Sequence, residues 1–128
     1  FKGTKWVIYF YPKDNTPGCT AQACSLRDGF DALSKNNIKV LGVSADNVKS
    51  HDKFATKFAL PFPLLADEDK TVIQKFGVWG PKKFMGREYE GIHRVSFVMD
   101  ESGVIIHVIQ KPKTKDHANE ILGLLNLN

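Results

Sequence analysis

Two cysteines, Cys19 and Cys24, stand in one stretch, Tyr11-Pro12-Lys13-Asp14-Asn15-Thr16-Pro17-Gly18-Cys19-Thr20-Ala21-Gln22-Ala23-Cys24, and theirs is the most specific chemistry in the chain. Thr16 followed by Pro17 signals a helix start. A threonine hydroxyl can accept a hydrogen bond from an amide one turn on, and proline at the first helical position gives up a donor that would be unpaired anyway. Cys19 then falls at the third helical position, where exposed N–H groups and the positive end of the helix dipole favour an anion. The thiolate is the nucleophilic form of cysteine, so the position suits redox or nucleophilic chemistry. Much later, Arg94 in Gly91-Ile92-His93-Arg94-Val95-Ser96-Phe97 is expected inside an otherwise apolar strand. A charge in such a place must find a partner or an anionic site.

Each of these residues also has an ordinary structural use. Thr16 and Pro17 suit helix capping alone, and Cys19 shares an apolar stripe with Ala23, Leu26, Phe30 and Leu33, as a core cysteine would. Its N-terminal position beside Thr16 favours the reactive reading. Thiol–disulfide oxidoreductases normally carry Cys-x-x-Cys, whereas four residues intervene here. A closed zinc site needs about four ligands. His51, His93, His107 and His117 are dispersed singly and read as surface or core histidines.

The elements that must position these groups follow from patterning. Lys5 to Tyr11 is a nearly continuous apolar and aromatic run, suited to a strand buried on both faces and ended by Pro12. One helix is expected from Thr16 through Leu33, with Cys24 lying around it toward Arg27, Asp28 and Asp31. A second strand is expected over Ile38 to Val43 and a helix over Val48 to Phe58, followed by breaks at Pro61 and Pro63. A short strand to Ala66 and an acidic start at Asp67-Glu68-Asp69 precede a helix over Lys70 to Phe76. Gly77 through Glu90 reads as a Gly-rich irregular loop. Strands over Ile92 to Asp100 and Val104 to Lys111 form a hairpin about Glu101-Ser102-Gly103, and a last helix runs from about Lys115 to Leu125. This order predicts an α/β fold of thioredoxin-like type, a central mixed sheet flanked by helices, parallel in the main with an antiparallel edge. The loop from Pro12 to Cys19 then sits beyond the carboxyl end of a strand, where such sheets place ligands.

A chain of 128 residues, 42% apolar, fits one domain over 1–128. No stretch approaches the roughly 20 apolar residues of a membrane helix, and no cleavable secretion signal is visible, so a soluble protein with no membrane partner is expected. The balance of 18 basic and 14 acidic residues gives +4. Its clusters, Lys82-Lys83 and Lys111 to Lys115, read as solvated loops rather than a nucleic-acid surface.

Taken together, Pro12-x-x-x-Thr16-x-x-Cys19, Cys24 and Arg94 resemble the peroxiredoxins, most closely the Q type, also called bacterioferritin comigratory protein. The likeness extends to Gly42-Val43-Ser44, Leu65-Ala66-Asp67 and Phe76-Gly77-Val78-Trp79-Gly80. It implies an atypical 2-Cys, thioredoxin-dependent peroxidase for hydrogen peroxide and organic hydroperoxides, with no cofactor and no metal. Cys19 would be the peroxidatic thiol, oxidised to a sulfenic acid, and Cys24 the resolving thiol that closes an intramolecular disulfide. Arg94 would favour the thiolate, Thr16 would hydrogen-bond peroxide or sulfur, and Pro12 would limit water around the sulfur. Gly18, Trp79 and Phe84 are expected around the pocket. The reductant would be thioredoxin or a similar dithiol, and the Q type favours a monomer in a bacterial cytoplasm. Two departures stand out. The chain starts almost at the first strand, so the segment that usually precedes that strand is expected to be absent, and Gln22 stands where many relatives have Glu. The alternatives are a thiol–disulfide oxidoreductase on the same fold and a non-catalytic metal-binding module.

Overall fold

The computed structural model of the protein describes residues 3–84 and 86–125. Its centre is β1 (Lys5–Phe10), whose last four residues are buried. Successive side chains of a strand point to opposite faces. Val7, Tyr9 and the following Tyr11 therefore enter one core while Ile8 and Phe10 enter another. The first core takes Ala23 and Leu26 from α1 (Pro17–Asp28), Leu33 from α2 (Phe30–Lys35), Phe54 from α3 (Val48–Phe58) and Ile121 from α5 (His117–Leu124). The second takes Val43 from β2 (Ile38–Ser44), Ile73 from α4 (Thr71–Lys75) and Phe97 from β6 (Val95–Met99). A β1 run without polar interruptions is thus the signature of a strand covered on both sides.

The five-stranded sheet has the order β3-β2-β1-β6-β7, with β3 at Leu64–Ala66 and β7 at Ile105–Ile109. β1, β2 and β3 are parallel, while β1 with β6 and β6 with β7 are antiparallel, so the antiparallel share is larger than an edge. The turn before β7 forms as its sequence predicts: Gly103 at φ +83° closes onto Asp100, and Asp100 Oδ1 accepts from the Ser102 and Val104 amides.

Three further expectations are corrected. The long helix is broken at Gly29, giving α1 and α2. A Cβ at Gly29 would stand 2.3 Å from Ala118 Cβ, so the break lets α5 lie directly on the chain. The segment from Gly77 to Glu90 is not an irregular loop but most of a hairpin of β4 (Trp79–Phe84) and β5 (Arg87–Ile92), a separate two-stranded sheet in which Trp79 pairs with Ile92. Its alternation was hidden because β5 is exposed over Arg87 to Glu90 and carries polar residues on both sides. Finally, the strand expected over Ile92 to Asp100 is interrupted: His93 and Arg94 link β5 to β6, and Arg94 lies in that link rather than inside a strand.

The Gly29 contact carries a test. Gly29→Ala should cost about 1–3 kcal/mol through overpacking against Ala118. Urea unfolding should show a lower midpoint with an unchanged slope, and an unchanged midpoint would mean that α5 is free to move away.

Candidate active site

The site is assembled by register. Phe10 of β1 lies opposite Val95 of β6 in antiparallel pairing, so the residue just before β6, Arg94, is delivered beside the residues that follow β1. Those residues form the loop from Tyr11 to Thr16, which leads into α1. The Tyr11 amide donates to the Val43 carbonyl, prolonging the sheet by one bond, and Asn15 takes a left-handed φ of +59° to turn the chain.

Thr16 occupies the N-cap position of α1 with Pro17 at the first helical residue, as the sequence predicts, but its side chain does not cap the helix. The hydroxyl instead donates to the Lys13 carbonyl at 2.9 Å, closing the loop and leaving the oxygen lone pairs as acceptors. The first backbone bond of the helix is still made, from the Thr20 amide to the Thr16 carbonyl.

Cys19 is the third residue of α1 and 1% exposed. Arg94 Nη2 donates to its Sγ at 3.2 Å, while Nη1 donates to Gln22 Oε1 at 2.7 Å. The half-buried guanidinium is therefore bridged between a sulfur and a neutral amide. Among the described residues no carboxylate pairs with it, so its charge is left for the sulfur and for whatever anion forms there. Gly18 makes room for this: a Cβ there would lie 3.0 Å from Nη2. Cys24 is half-buried on the same unbroken helix, and both thiols are free. Pro12 is half-buried in the loop after β1.

Surrounding groups feel this cluster. Burial pushes the Tyr9 phenol well above its ordinary range, with Cys19 and Asp14 adding to the effect and Arg94 opposing it. Burial also holds the Lys82 ammonium below the usual lysine range; the Arg94 charge adds to that shift and Cys19 works against it. Lys82 Nζ donates to the Ile92 carbonyl at 2.9 Å. The sequence reading took Lys82 for a solvated loop residue and Gln22 only for a departure from relatives that carry Glu, and placed neither beside Cys19 and Arg94. The signal for Gln22 was present, since it lies with Cys19, Ala23 and Leu26 among the buried residues of α1 and is the polar member of that set. Its Nε2 and Tyr9 Oη are buried with no partner among the described residues.

Trp79 is half-buried in the hairpin, where its indole N–H donates to Glu90 Oε2 at 2.9 Å, Lys70 Nζ lies 5.2 Å from a ring centroid, and the ring packs on the second core. Cys19 belongs to the first core, so the pocket role expected of Trp79 gains no contact here. Phe84 pairs with Arg87 through the backbone of β4, and its side chain lies outside the described residues. His117, read as an ordinary histidine, is fully buried between Ser96 Oγ and Glu120 Oε1, each at 2.8 Å. Burial holds it below the usual histidine range. Its own amide donates to Ser25 Oγ, which fastens the start of α5 to the later part of α1.

An electron-rich sulfur against an unneutralised guanidinium, at a helix start, is a place where a thiolate can attack and where negative charge on a departing atom is met. Comparison with known proteins points the same way. Residues 1–108 match the AhpC/TSA family. Peroxiredoxin Bcp of Escherichia coli (strain K12) is 50% identical over 125 residues, covering 98% of this chain and 80% of that protein. Peroxiredoxin Bcp of Bacillus subtilis (strain 168) is 44% identical over 125 residues, with coverage of 98% and 80%. A solved structure of Xanthomonas campestris bacterioferritin comigratory protein, concerned with that protein's alkyl peroxide reduction activity, superposes with a TM-score of 0.90 at 38% identity, covering 98% of this chain and 80% of that one. The fold is thus thioredoxin-like.

Replacing Arg94 tests the contact directly. In Arg94→Met, alkylation of Cys19 by iodoacetamide near neutral pH should slow by about 10- to 100-fold, the equivalent of losing one charged hydrogen bond of about 1.5–3 kcal/mol. Gln22→Met should change the rate in the same direction by less. An unchanged rate in Arg94→Met would show that the guanidinium does not act on the sulfur.

Proposed function

The chain belongs to the AhpC/TSA family, beside the Bcp or Q-type peroxiredoxins, and is a thiol-dependent peroxidase acting on hydroperoxides with a thiol reductant; from that premise we propose that Cys19 is its peroxidatic residue and Cys24 its resolving one. The observation that carries the reading is the 3.2 Å contact of Arg94 Nη2 with Cys19 Sγ at the start of α1.

In the first step the Cys19 thiolate attacks the terminal, hydrogen-bearing oxygen of ROOH. The S–O bond forms as the O–O bond breaks, sulfur loses two electrons to the peroxide, and the leaving RO⁻ takes up the proton released when the thiol ionised. The products are the Cys19 sulfenic acid and ROH. Arg94 offers a fixed positive charge to the thiolate before attack and to the departing oxygen during it. Thr16 serves as an acceptor for the O–H of the hydroperoxide, because its own hydrogen is committed to Lys13. Pro12 and Gly18 shape the approach: the first presents no N–H to water, and the second lets the guanidinium come close. The alkyl peroxide activity of the Xanthomonas relative supports organic hydroperoxides as substrates beside hydrogen peroxide.

In the second step the Cys24 thiolate attacks Cys19 Sγ and expels the sulfenic oxygen, which leaves as water with a proton from solvent. Five residues along an intact helix set the two Cα atoms about 8–9 Å apart, whereas a disulfide spans roughly 4.4–6.8 Å. The first turns of α1 must unwind. Two features favour opening from that end: the absence of a side-chain cap, which leaves out about 1 kcal/mol of helix stabilisation, and the attachment of α5 at Ser25 and Gly29, downstream of both cysteines. A dithiol of the thioredoxin kind then reduces the Cys19–Cys24 disulfide by exchange and is itself oxidised. The reading extends to a monomer acting in a bacterial cytoplasm.

Intact mass spectrometry after one equivalent of hydrogen peroxide is the test. The wild-type chain should lose two hydrogens and both alkylation sites. Cys24→Ser should consume one equivalent, gain oxygen on Cys19 and fail to recycle with thioredoxin. Cys19→Ser should consume none. Two free thiols after oxidation, or steady turnover in Cys19→Ser, would overturn the assignment.

A further inference from the structure

The loop that carries Pro12 and Thr16 is fastened by a buried histidine. His51 of α3 and Asp14 of the loop meet at 2.7 Å between Nδ1 and Oδ2, with side chains only 4% and 3% exposed. On the far side of the ring, Nε2 lies 3.0 Å from the Leu65 carbonyl oxygen of β3. A carbonyl only accepts, so Nε2 must carry a hydrogen. The Asp14 carboxylate already receives Tyr11 Oη–H on Oδ1 at 2.6 Å and Ser50 Oγ–H on Oδ2 at 2.8 Å. Its contact with Nδ1 therefore needs one more proton, carried on the ring or shared with the carboxyl. A neutral imidazole beside a carboxylate has one N–H for two acceptors and leaves one of them buried without a donor. The same loop residue is gripped a third way, since the Asp14 amide donates to Asp46 Oδ2 at 2.8 Å and that oxygen also accepts from Ser44 Oγ.

We propose that His51 is a positioning residue for the peroxidase reaction, a doubly protonated imidazole whose two N–H groups tie the loop bearing Pro12 and Thr16 to β3, so that loss of its proton on the alkaline side frees the loop and slows attack on peroxide. The inference rests on the reading of Cys19 as the reacting thiol.

The charges around the ring agree with this geometry. Burial pulls His51 down, but the hydrogen bond and charge of Asp14, the Leu65 carbonyl and the charge of Asp46 outweigh it and hold the group above the ordinary histidine range. For Asp14 burial raises the carboxyl, and the bonds from His51, Tyr11 and Ser50 together hold it below its ordinary value. Lys49, Lys53 and Lys57 line a cavity of about 400 Å³ on the outer side of Asp14. The signs give the window. A raised histidine contributes stability that is complete below its unfolded value of about 6.5 and is lost as pH rises through the folded value. A lowered carboxyl contributes stability that is present above its unfolded value of 3.8 and lost only in acid. The tie is whole below about 6.5, down to the acid range of the carboxyl, and is lost as pH rises through the raised histidine value. His117, held low by burial, titrates on the acid side and does not enter this limb.

The test joins spectroscopy to kinetics on the reduced full chain. Imidazole ¹H–¹⁵N correlation spectra from about pH 6 to about pH 10 should show both His51 ring nitrogens protonated at neutral pH and one losing its proton toward alkali. The second-order rate of Cys19 oxidation by hydrogen peroxide should fall with the same midpoint. In His51→Gln, whose amide can donate to one side only, the rate at neutral pH should be lower by about tenfold and the alkaline fall should vanish. One bare His51 ring nitrogen at neutral pH would overturn the proposal, as would an alkaline limb unchanged in His51→Gln. If that variant does not fold, the wild-type midpoints decide: coincidence supports the proposal and separation overturns it. Turnover in Cys19→Ser would instead sink the reading of the reacting thiol and leave the protonation result standing.

Discussion

The arrangement depends on one guanidinium that no carboxylate among the described residues neutralises. A charge kept half out of water is costly unless it is hydrogen-bonded, and a carboxylate is the usual remedy. Here Arg94 meets a neutral amide, Gln22, and a sulfur, Cys19. The amide steadies the group without cancelling its charge. A carboxylate at position 22 would hold it more firmly and answer the same positive charge that the sulfur uses. What makes the contact possible is strand order. Because β6 runs antiparallel to β1, its first residues lie beside the end of β1, and a link of two residues is enough to carry an arginine from the hairpin to the helix start.

The surroundings show what this arrangement costs. Tyr9 and Tyr11 bring phenols from β1 to the site side of the sheet, stacked with ring centroids 5.4 Å apart. Tyr11 Oη–H is used by Asp14, while Tyr9 Oη and Gln22 Nε2 are buried without partners among the described residues. Each such atom typically costs about 1–3 kcal/mol. That both belong to residues close to Cys19, rather than scattered through the two cores, fits the tendency of strain to gather where chemistry is done.

Much of this was legible in the sequence. The uninterrupted run of β1, the bounds of α3 and the position of Cys19 in α1 follow from hydrophobic period and helix-start chemistry, which are local signals. What was not legible depends on partners remote in sequence. Gly29 reads as one weak helical residue until Ala118 is seen against it. The β4–β5 hairpin hides because its exposed residues need no apolar alternation. Arg94 was expected within a strand because Ile92 and Val95 flank it, and only the pairing of β5 with β4 ends that strand early. His51 looked solitary because its partners, Asp14 and Leu65, lie 37 and 14 residues away. Thr16 shows the converse: its N-cap position was readable, but whether its hydroxyl would serve the helix or Lys13 was decided by the turn at Asn15.

α5 is attached to the chain at Ser25 and Gly29, beyond both cysteines, whereas the turns before that point are held by the packing of Cys19 and Ala23 in the first core. If the reaction cycle opens the helix start as proposed, those turns would leave the core as a small foldon with its own free energy. On that reading the clasp at Ser25 would act as a stop on a zip, fixing how far each opening runs and letting every cycle close again from the same template.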